Sequence, residues 1–373
     1  MTRTPWIAVA AMFTLNGALF GIWASRIPAV ATAHALSPGA LGLLLLLLAT
    51  GAIVAFPLAG RMADQIGAAR ATRAVAIAYA ISLPLIAFAP NVWLVALALF
   101  AFGACHGGMD VAMNAWGAEA ERREGRSFMS SLHAMFSLGA GLGAASGWAA
   151  VEVGADLSAH FLLGAFVVFV PTFWAAGAPW LKAAPAARGP LISLPKGPLL
   201  LVGIVAFASS LGEGAMADWS AVFLTLVGGV GEGEAALGYA VFSVAMVVVR
   251  LIGDRIVEAL GPVIAARIAG VAATTGVLLA VMGGSYETTL TGFAFMGVGY
   301  AVIMPLAFSR AANEPGLGPG AGIAAVATLG YGGLLLGPPI IGFLAEALGL
   351  RTAFLLLAAL AALIALLAGA LRR

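Results

Sequence analysis

The chain has 373 residues, of which 62% are hydrophobic and 9% charged, whereas soluble domains carry about a quarter charged residues. Its net charge of +2 excludes nucleic-acid binding through a clustered basic face. A membrane span needs about 20 apolar residues, so twelve spans would fill most of the chain and leave no room for a soluble catalytic or nucleotide-binding domain.

Charges, prolines and turn residues cut the sequence into predicted spans at 6–25, 38–59, 74–89, 92–113, 128–149, 158–178, 198–217, 235–251, 263–282, 288–308, 320–344 and 352–371. The first follows Arg3 and could pass for a signal peptide. Its uncharged run from Thr4 to Ser25 is long enough to cross a bilayer, however, and no small-x-small cleavage site precedes Arg26, so it is read as a span. Period-two alternation is absent and the runs are too long for barrel strands. The expected fold is an all-α membrane protein with twelve transmembrane helices in two pseudo-symmetric six-helix bundles.

With the N-terminus inside, sixteen of the eighteen basic residues fall on the cytoplasmic side and only Arg26 and Arg351 fall outside. That asymmetry predicts a multi-pass protein of a bacterial inner membrane with both termini cytoplasmic. Residues 179–197, rich in proline and carrying Lys182, Arg188 and Lys196, read as a cytoplasmic linker. The bundles are then 1–178 and 198–373. Matching features recur at a nearly constant offset, Asp64 with Asp254, Gly139 with Gly330, and GIWASRIPAV at 21 with GAMADWSAVF at 214, as duplication would leave them.

Six plus six helices, a basic linker and paired loops together resemble the major facilitator superfamily. The segment from Gly60 to Gly67 is similar to that family's G-x-x-x-D-R-x-G signature, with Gln65 in place of its Arg, and Gly253-Asp254-Arg255 with Gly261 is a second, looser copy. WASRIP at 23, DVAMNAWG at 110, SLHAMFSLG at 131 and EGAMADWSAVF at 213 resemble the fucose-permease-like branch, specifically its YbjJ-type bacterial members. The resemblance implies that spans 1, 4, 7 and 10 line a central cavity. It also implies that Asp64, near Arg61 and Arg70 in the loop after span 2, gates the cytoplasmic side, with Asp254 and Arg255 as its repeat counterpart. A solvated loop turn is the competing reading.

Ionisable residues at membrane depth are costly and point to function. His106 and Asp110 are spaced i,i+4 on span 4, and Asn114 continues the stripe, so all three can face one cavity. His133 on span 5 falls at a similar depth. Helix-packing hydrogen bonds compete with solute or proton binding for each of these, as for Asn16 in span 1. Glu213 and Asp218 are placed toward the outer end of span 7, and Arg26 at the outer end of span 1, an arrangement that suggests a gate in which Arg26 meets Glu213 or Asp218. Interfacial anchoring is the alternative. Trp23 and Trp219 stand at corresponding outer ends and read as cavity-mouth aromatics or as an aromatic belt. Gly139, Gly143 and Gly147, and Gly333 with Gly337, have the spacing of packing stripes.

Cys105, the sole cysteine, reads as a small core residue. No phosphate-binding loop and no Cys/His cluster with metal-ligand spacing is present. The expectation is therefore a monomeric, non-enzymatic secondary transporter with no cofactor, moving a small polar, sugar-like solute with a proton as coupling ion, through Asp110, His133 or Glu213. Its partners are the solute and the lipid bilayer. Efflux of amphipathic compounds, or sensing or lipid handling on the same scaffold, are the alternatives; the absence of a Gly-Pro pair in span 5 weighs against drug efflux on the strength of the resemblance.

Overall fold

The computed structural model describes residues 4–125, 128–177, 194–315 and 319–372. Arg3, Arg126, Lys182, Arg188, Arg373 and residues 179–193 of the expected linker lie outside them.

The described chain is helical: α1 (Pro5–Ser25), α2 (Ile27–Ala33), α3 (Pro38–Ile66), α4 (Ala68–Ala87), α5 (Val92–Glu124), α6 (Met129–Glu152), α7 (Leu157–Ala175), α8 (Pro198–Leu226), α9 (Glu232–Leu260), α10 (Pro262–Met282), α11 (Tyr286–Tyr300), α12 (Ile303–Ala312), α13 (Pro319–Leu348) and α14 (Leu350–Leu367). Twelve segments of this set are long and apolar enough to cross a membrane, with α11 and α12 counting as one. Polar side chains start several of them: Thr4 accepts from the Ile7 amide, Asn91 from Leu94, Asp156 from Ala159 and Ser285 from Thr288. Each satisfies an amide that the first turn leaves without a helical partner.

Several helices outrun their predicted spans. Cutting at charges ended span 2 at residue 59, yet α3 continues through Arg61 and Asp64 to Ile66. The reason is that Arg, Met, Ala and Gln are good helix formers, and charge leaves the bilayer without ending the helix. What ends it is Gly67, at φ 93°, with α4 beginning at the next residue. Gly261, at φ 75°, does the same between α9 and α10. The two glycines are 194 residues apart and share a left-handed backbone that side chains rarely adopt, so the repeat extends to the junction geometry. Asp64, Arg70, Asp254 and Arg255 therefore sit in helices rather than in loops, which corrects their expected placement.

The span of α11 and α12 is broken at Ala301 and Val302. Pro305 accounts for the break: it has no amide to donate to the Ala301 carbonyl, and its ring clashes there.

The described chain forms two compact units. The first comprises Met1–Leu36, Leu44–Ala186 and Gly231–Ala240; the second comprises Ser37–Leu43, Ala187–Val230 and Val241–Arg373. Both are discontinuous in sequence, because the first turns of α3 and of α9 each belong to the unit built mainly from the other half. Their internal packing repeats. In the first, α1 packs on α6 and α4 on α5 and α7; in the second, α8 packs on α13 and α10 on α11 and α14.

The α1–α6 contact is made by glycines. A Cβ at Gly17 would strike the Phe136 carbonyl, one at Gly139 the Thr14 carbonyl and one at Gly143 the Ala18 carbonyl. Backbones this close are what small-residue stripes permit. Gly333 repeats the contact in the second unit, against the Phe207 carbonyl of α8. Gly143→Ala must push two helix backbones apart, and overpacking of this kind costs about 1–3 kcal/mol. Its melting temperature in detergent is expected several degrees below that of the parent; an unchanged value would mean the helices slide apart freely.

Candidate functional site

In the first unit, four helices bring together most of the polar residues singled out in the N-terminal half. His106 of α5 has its Nδ1 3.0 Å from the Tyr79 hydroxyl of α4, and its ring stacks on Phe20 of α1 at 4.7 Å between centroids. His133 of α6 meets Phe13 of α1 edge-on at 5.3 Å. His106 also reaches α6 at Phe136, 6.3 Å between rings and one turn beyond His133. Two aromatic rings on one face of α1 thus link the neighbourhoods of the two histidines.

Asp110 and Asn114 pair along the α5 stripe. The Asn114 amide donates to the Asp110 side chain at 3.1 Å and to its carbonyl at 2.8 Å. Asn16 is fully buried; its amide nitrogen lies 3.6 Å from the Met113 sulfur, and its Oδ1 is buried without a hydrogen-bond partner. An unpaired buried acceptor costs about 1–3 kcal/mol.

Arg26 lies between α1 and α2, and its pairing corrects the expected gate. Its Nη2 is 3.6 Å from Glu232 at the start of α9, not from Glu213 or Asp218, and its side chain is 6% exposed against 40% for Glu232. Its Nε and Nη1 have no partner. Burial lowers the pKa of the guanidinium, and the charges of Glu232 and Asp156 offset part of that shift. Nearby, His160 of α7 is 3.0 Å from the Ser146 hydroxyl of α6.

Glu213 is not at a helix tip. Cutting span 7 at Asp218 made it seem so, but Trp219–Leu226 continues α8 because the segment is apolar, and Glu213 lies near the middle. Arg250 of α9 donates to it at 3.1 Å. Arg250 lies near the end of the stretch Glu232–Gly253, which is long and apolar enough to cross a membrane, and inside the predicted span 235–251. Asp218 is buried at 8% exposure.

Trp23 and Trp219 are each fully buried, with indole nitrogens lacking partners, and Trp23 packs beside Phe102. Neither lines a cavity mouth or an aromatic belt here, because the helices around them close over the rings. Asp64 is half-buried, Arg70 and Arg255 are exposed, and the Asp254 side chain lies outside the described set. Cys105 is half-buried rather than a core residue.

The family model described as Major Facilitator Superfamily matches residues 6–318. The chain belongs to this superfamily. It is 46% identical over 376 residues to the uncharacterized transporter y4wD of Sinorhizobium fredii, covering 99% of each chain. It is 33% identical to an uncharacterized MFS-type transporter of Yersinia pestis, covering 92% of this chain and 89% of that one. A crystal structure of a variant of the nucleoside transporter NupG superposes with a TM-score of 0.76 over 99% of this chain and all of that one, at 14% identity. That likeness shows a shared facilitator fold. The chain is a multi-pass membrane transporter of the facilitator type, not an enzyme.

Tyr79, Glu232 and Arg250 were missed in the sequence. Tyr79 stands in an apolar run like any packing aromatic, Glu232 falls between two predicted spans, and Arg250 is one of the basic residues that the positive-inside count places on the cytoplasmic side. Only Arg250 carried a usable signal: it lies three residues before Gly253-Asp254-Arg255, inside an apolar helix.

Proposed function

We propose that this facilitator is a secondary active transporter moving a small polar, sugar-like solute by alternating access, with proton coupling, as a monomer in a bacterial inner membrane with both termini cytoplasmic. The fucose-permease-like branch, in its YbjJ-type members, is the part of the superfamily its motifs resemble. The observation carrying this reading is the set of polar groups inside the first unit: the buried Asn16, the Tyr79–His106 pair and the Asp110–Asn114 pair, on three helices long and apolar enough to cross a membrane. Hydrogen-bonding groups held in an apolar surround are what a hydroxylated solute needs, and what an amphipathic cargo would leave unsatisfied.

Asp110 is the proposed proton carrier, tuned by His106 and His133. Arg26 with Glu232 forms the proposed outer latch. Asp64, Arg61 and Arg70, around the α3–α4 junction, and Asp254 and Arg255, before the α9–α10 junction, are assigned to the inner gate, where a contact made in one state breaks in the other. Asp218 borders Trp219 on α8 and is assigned to the same conformational change.

A thermal-shift screen of the purified protein tests the reading, since a ligand that binds the folded state stabilises it by mass action. Hydroxylated polar solutes are expected to raise the melting temperature, and Asn16→Ala is expected to weaken that shift. Stabilisation by amphipathic compounds or lipids alone would favour efflux or lipid handling instead.

A further inference from the structure

Glu213 and Arg250 form an ion pair in the middle of the second unit that the polar groups of the first unit do not explain. Glu213 lies 15 residues into α8, about 22 Å along the helix at 1.5 Å per residue. Its side chain is 26% exposed and that of Arg250 is 13% exposed. A carboxylate so exposed at this depth faces water, because contact with lipid would be prohibitive for a charged group. Its exposure leaves the Glu213 carboxylate open to proton exchange.

Its surroundings are polar and incompletely bonded. The Tyr300 hydroxyl is buried without a partner, lies within electrostatic range of Glu213, and would collide with a Cβ at Gly212. Tyr300 ends α11 at the helix break, whose residues Ala301 and Val302 are buried within the protein, as unwound backbone at membrane depth requires. Ser209, one turn before Glu213, has a buried hydroxyl with no partner. Of the other charged groups on the helices packed against α8, Arg310 of α12 pairs with Glu314, Glu346 of α13 accepts from the Gly39 amide and the Ser37 hydroxyl, and Glu287 of α11 and Arg351 of α14 are exposed at helix starts. Asp218 follows five residues along α8 itself.

A neutral solute offers nothing that would separate Glu213 from Arg250. We propose that the transported solute carries an anionic group of the carboxylate class, as a sugar acid does, and that this group takes the place of Glu213 on Arg250 when Glu213 accepts a proton. The proton comes from the aqueous phase to a Glu213 carboxylate oxygen, the Glu213–Arg250 contact opens, and the Arg250 guanidinium donates to the solute carboxylate. One negative charge is lost at Glu213 and one arrives with the solute, so the local charge is unchanged whatever else Arg250 touches. Neither end state, Glu213 ionised or solute bound, leaves Arg250 without a negative partner charge. One proton then enters per anionic group. The inference rests on the transport reading and narrows its substrate class.

The test uses sodium acetate as the anion, with acetamide and sodium chloride at matched concentration as controls, and the melting temperature of the full-length protein as readout. Glu213→Ala should melt below the parent, and acetate should raise it by several degrees more than either control. The double variant Glu213→Ala/Arg250→Ala should show no acetate preference. In the parent and in Glu213→Gln the same comparison is run against pH at a constant concentration of ionised acetate, kept above about pH 5.5 where the probe stays an anion, which keeps the test open should Glu213→Ala fail to fold: the acetate-specific shift should grow on acidification in the parent and be flat with pH in Glu213→Gln. No acetate preference in any single variant, or a preference that survives removal of Arg250, overturns the proposal. Because the readout is binding alone, such a failure beside intact proton-driven uptake strikes the substrate class and leaves the transport reading standing.

Discussion

Asp110→Asn is expected to reduce uptake driven by an imposed pH gradient to the level of empty liposomes, while solute binding remains measurable and loses its pH dependence. The substitution is close to isosteric, and an asparagine keeps the side-chain oxygen that accepts from Asn114 at 3.1 Å. The carbonyl contact at 2.8 Å is backbone and is untouched. The stripe therefore keeps its shape and loses only the group that exchanges a proton. His133→Gln is expected to move the pH optimum without abolishing transport, since His133 packs on Phe13 of α1 and is proposed to tune Asp110 rather than to carry the proton. If both variants concentrate solute up a proton gradient as the parent does, the stripe is helix packing and Glu213 becomes the proton site by itself.

Arg26→Glu is expected to open the end of the first unit where α2 and the start of α9 lie. Ala236 is fully buried there, and a Cβ on Gly147 of α6 would sit 3.0 Å from its side chain, so a cysteine at 236 in a Cys105→Ala background is shielded while the latch is closed. The buried guanidinium already leaves Nε and Nη1 unpaired, and reversing its charge replaces attraction to Glu232 by repulsion. Glu232 is 40% exposed, so solvent screens the effect. Labelling of the 236 thiol should accelerate roughly tenfold, which about 1.4 kcal/mol of lost closure accounts for. Adding Glu232→Arg should restore slow labelling. An unchanged rate in Arg26→Glu would return the pair to an anchoring role.

The fold was legible because its signals are statistical and repeated. Hydropathy over twenty residues tolerates local exceptions, and the repeat suggested by Asp64 and Asp254 reappears in the structure, within a few residues of the same offset, as the Gly67 and Gly261 junctions. Helix ends were less legible, because apolarity reports where the bilayer ends, whereas α3, α5, α8 and α9 continue until a glycine or a cap stops them. That difference carried through to the sites. Cutting α8 at Asp218 moved Glu213 from mid-helix to a tip and made it a partner for Arg26, while the orientation count placed Arg250 on the cytoplasmic side. The i,i+4 stripe of His106, Asp110 and Asn114 survived because it depends on spacing within one helix. The Tyr79–His106 and Arg26–Glu232 pairs depend on which helices are neighbours, and nothing in a single sequence encodes that for a tyrosine in an apolar run or a glutamate at a helix start.

The central claim, proton-driven movement of a polar solute, is tested most directly in proteoliposomes holding the purified chain. Solutes that stabilise the protein are offered as radiolabelled probes, and uptake is followed with and without an inward proton gradient while internal pH is recorded. The account predicts accumulation above the external concentration only when the gradient is present, with internal acidification in step with uptake and both signals absent for Asp110→Asn. Uptake that merely equilibrates, at the same rate with the gradient collapsed and with no movement of protons, would contradict it.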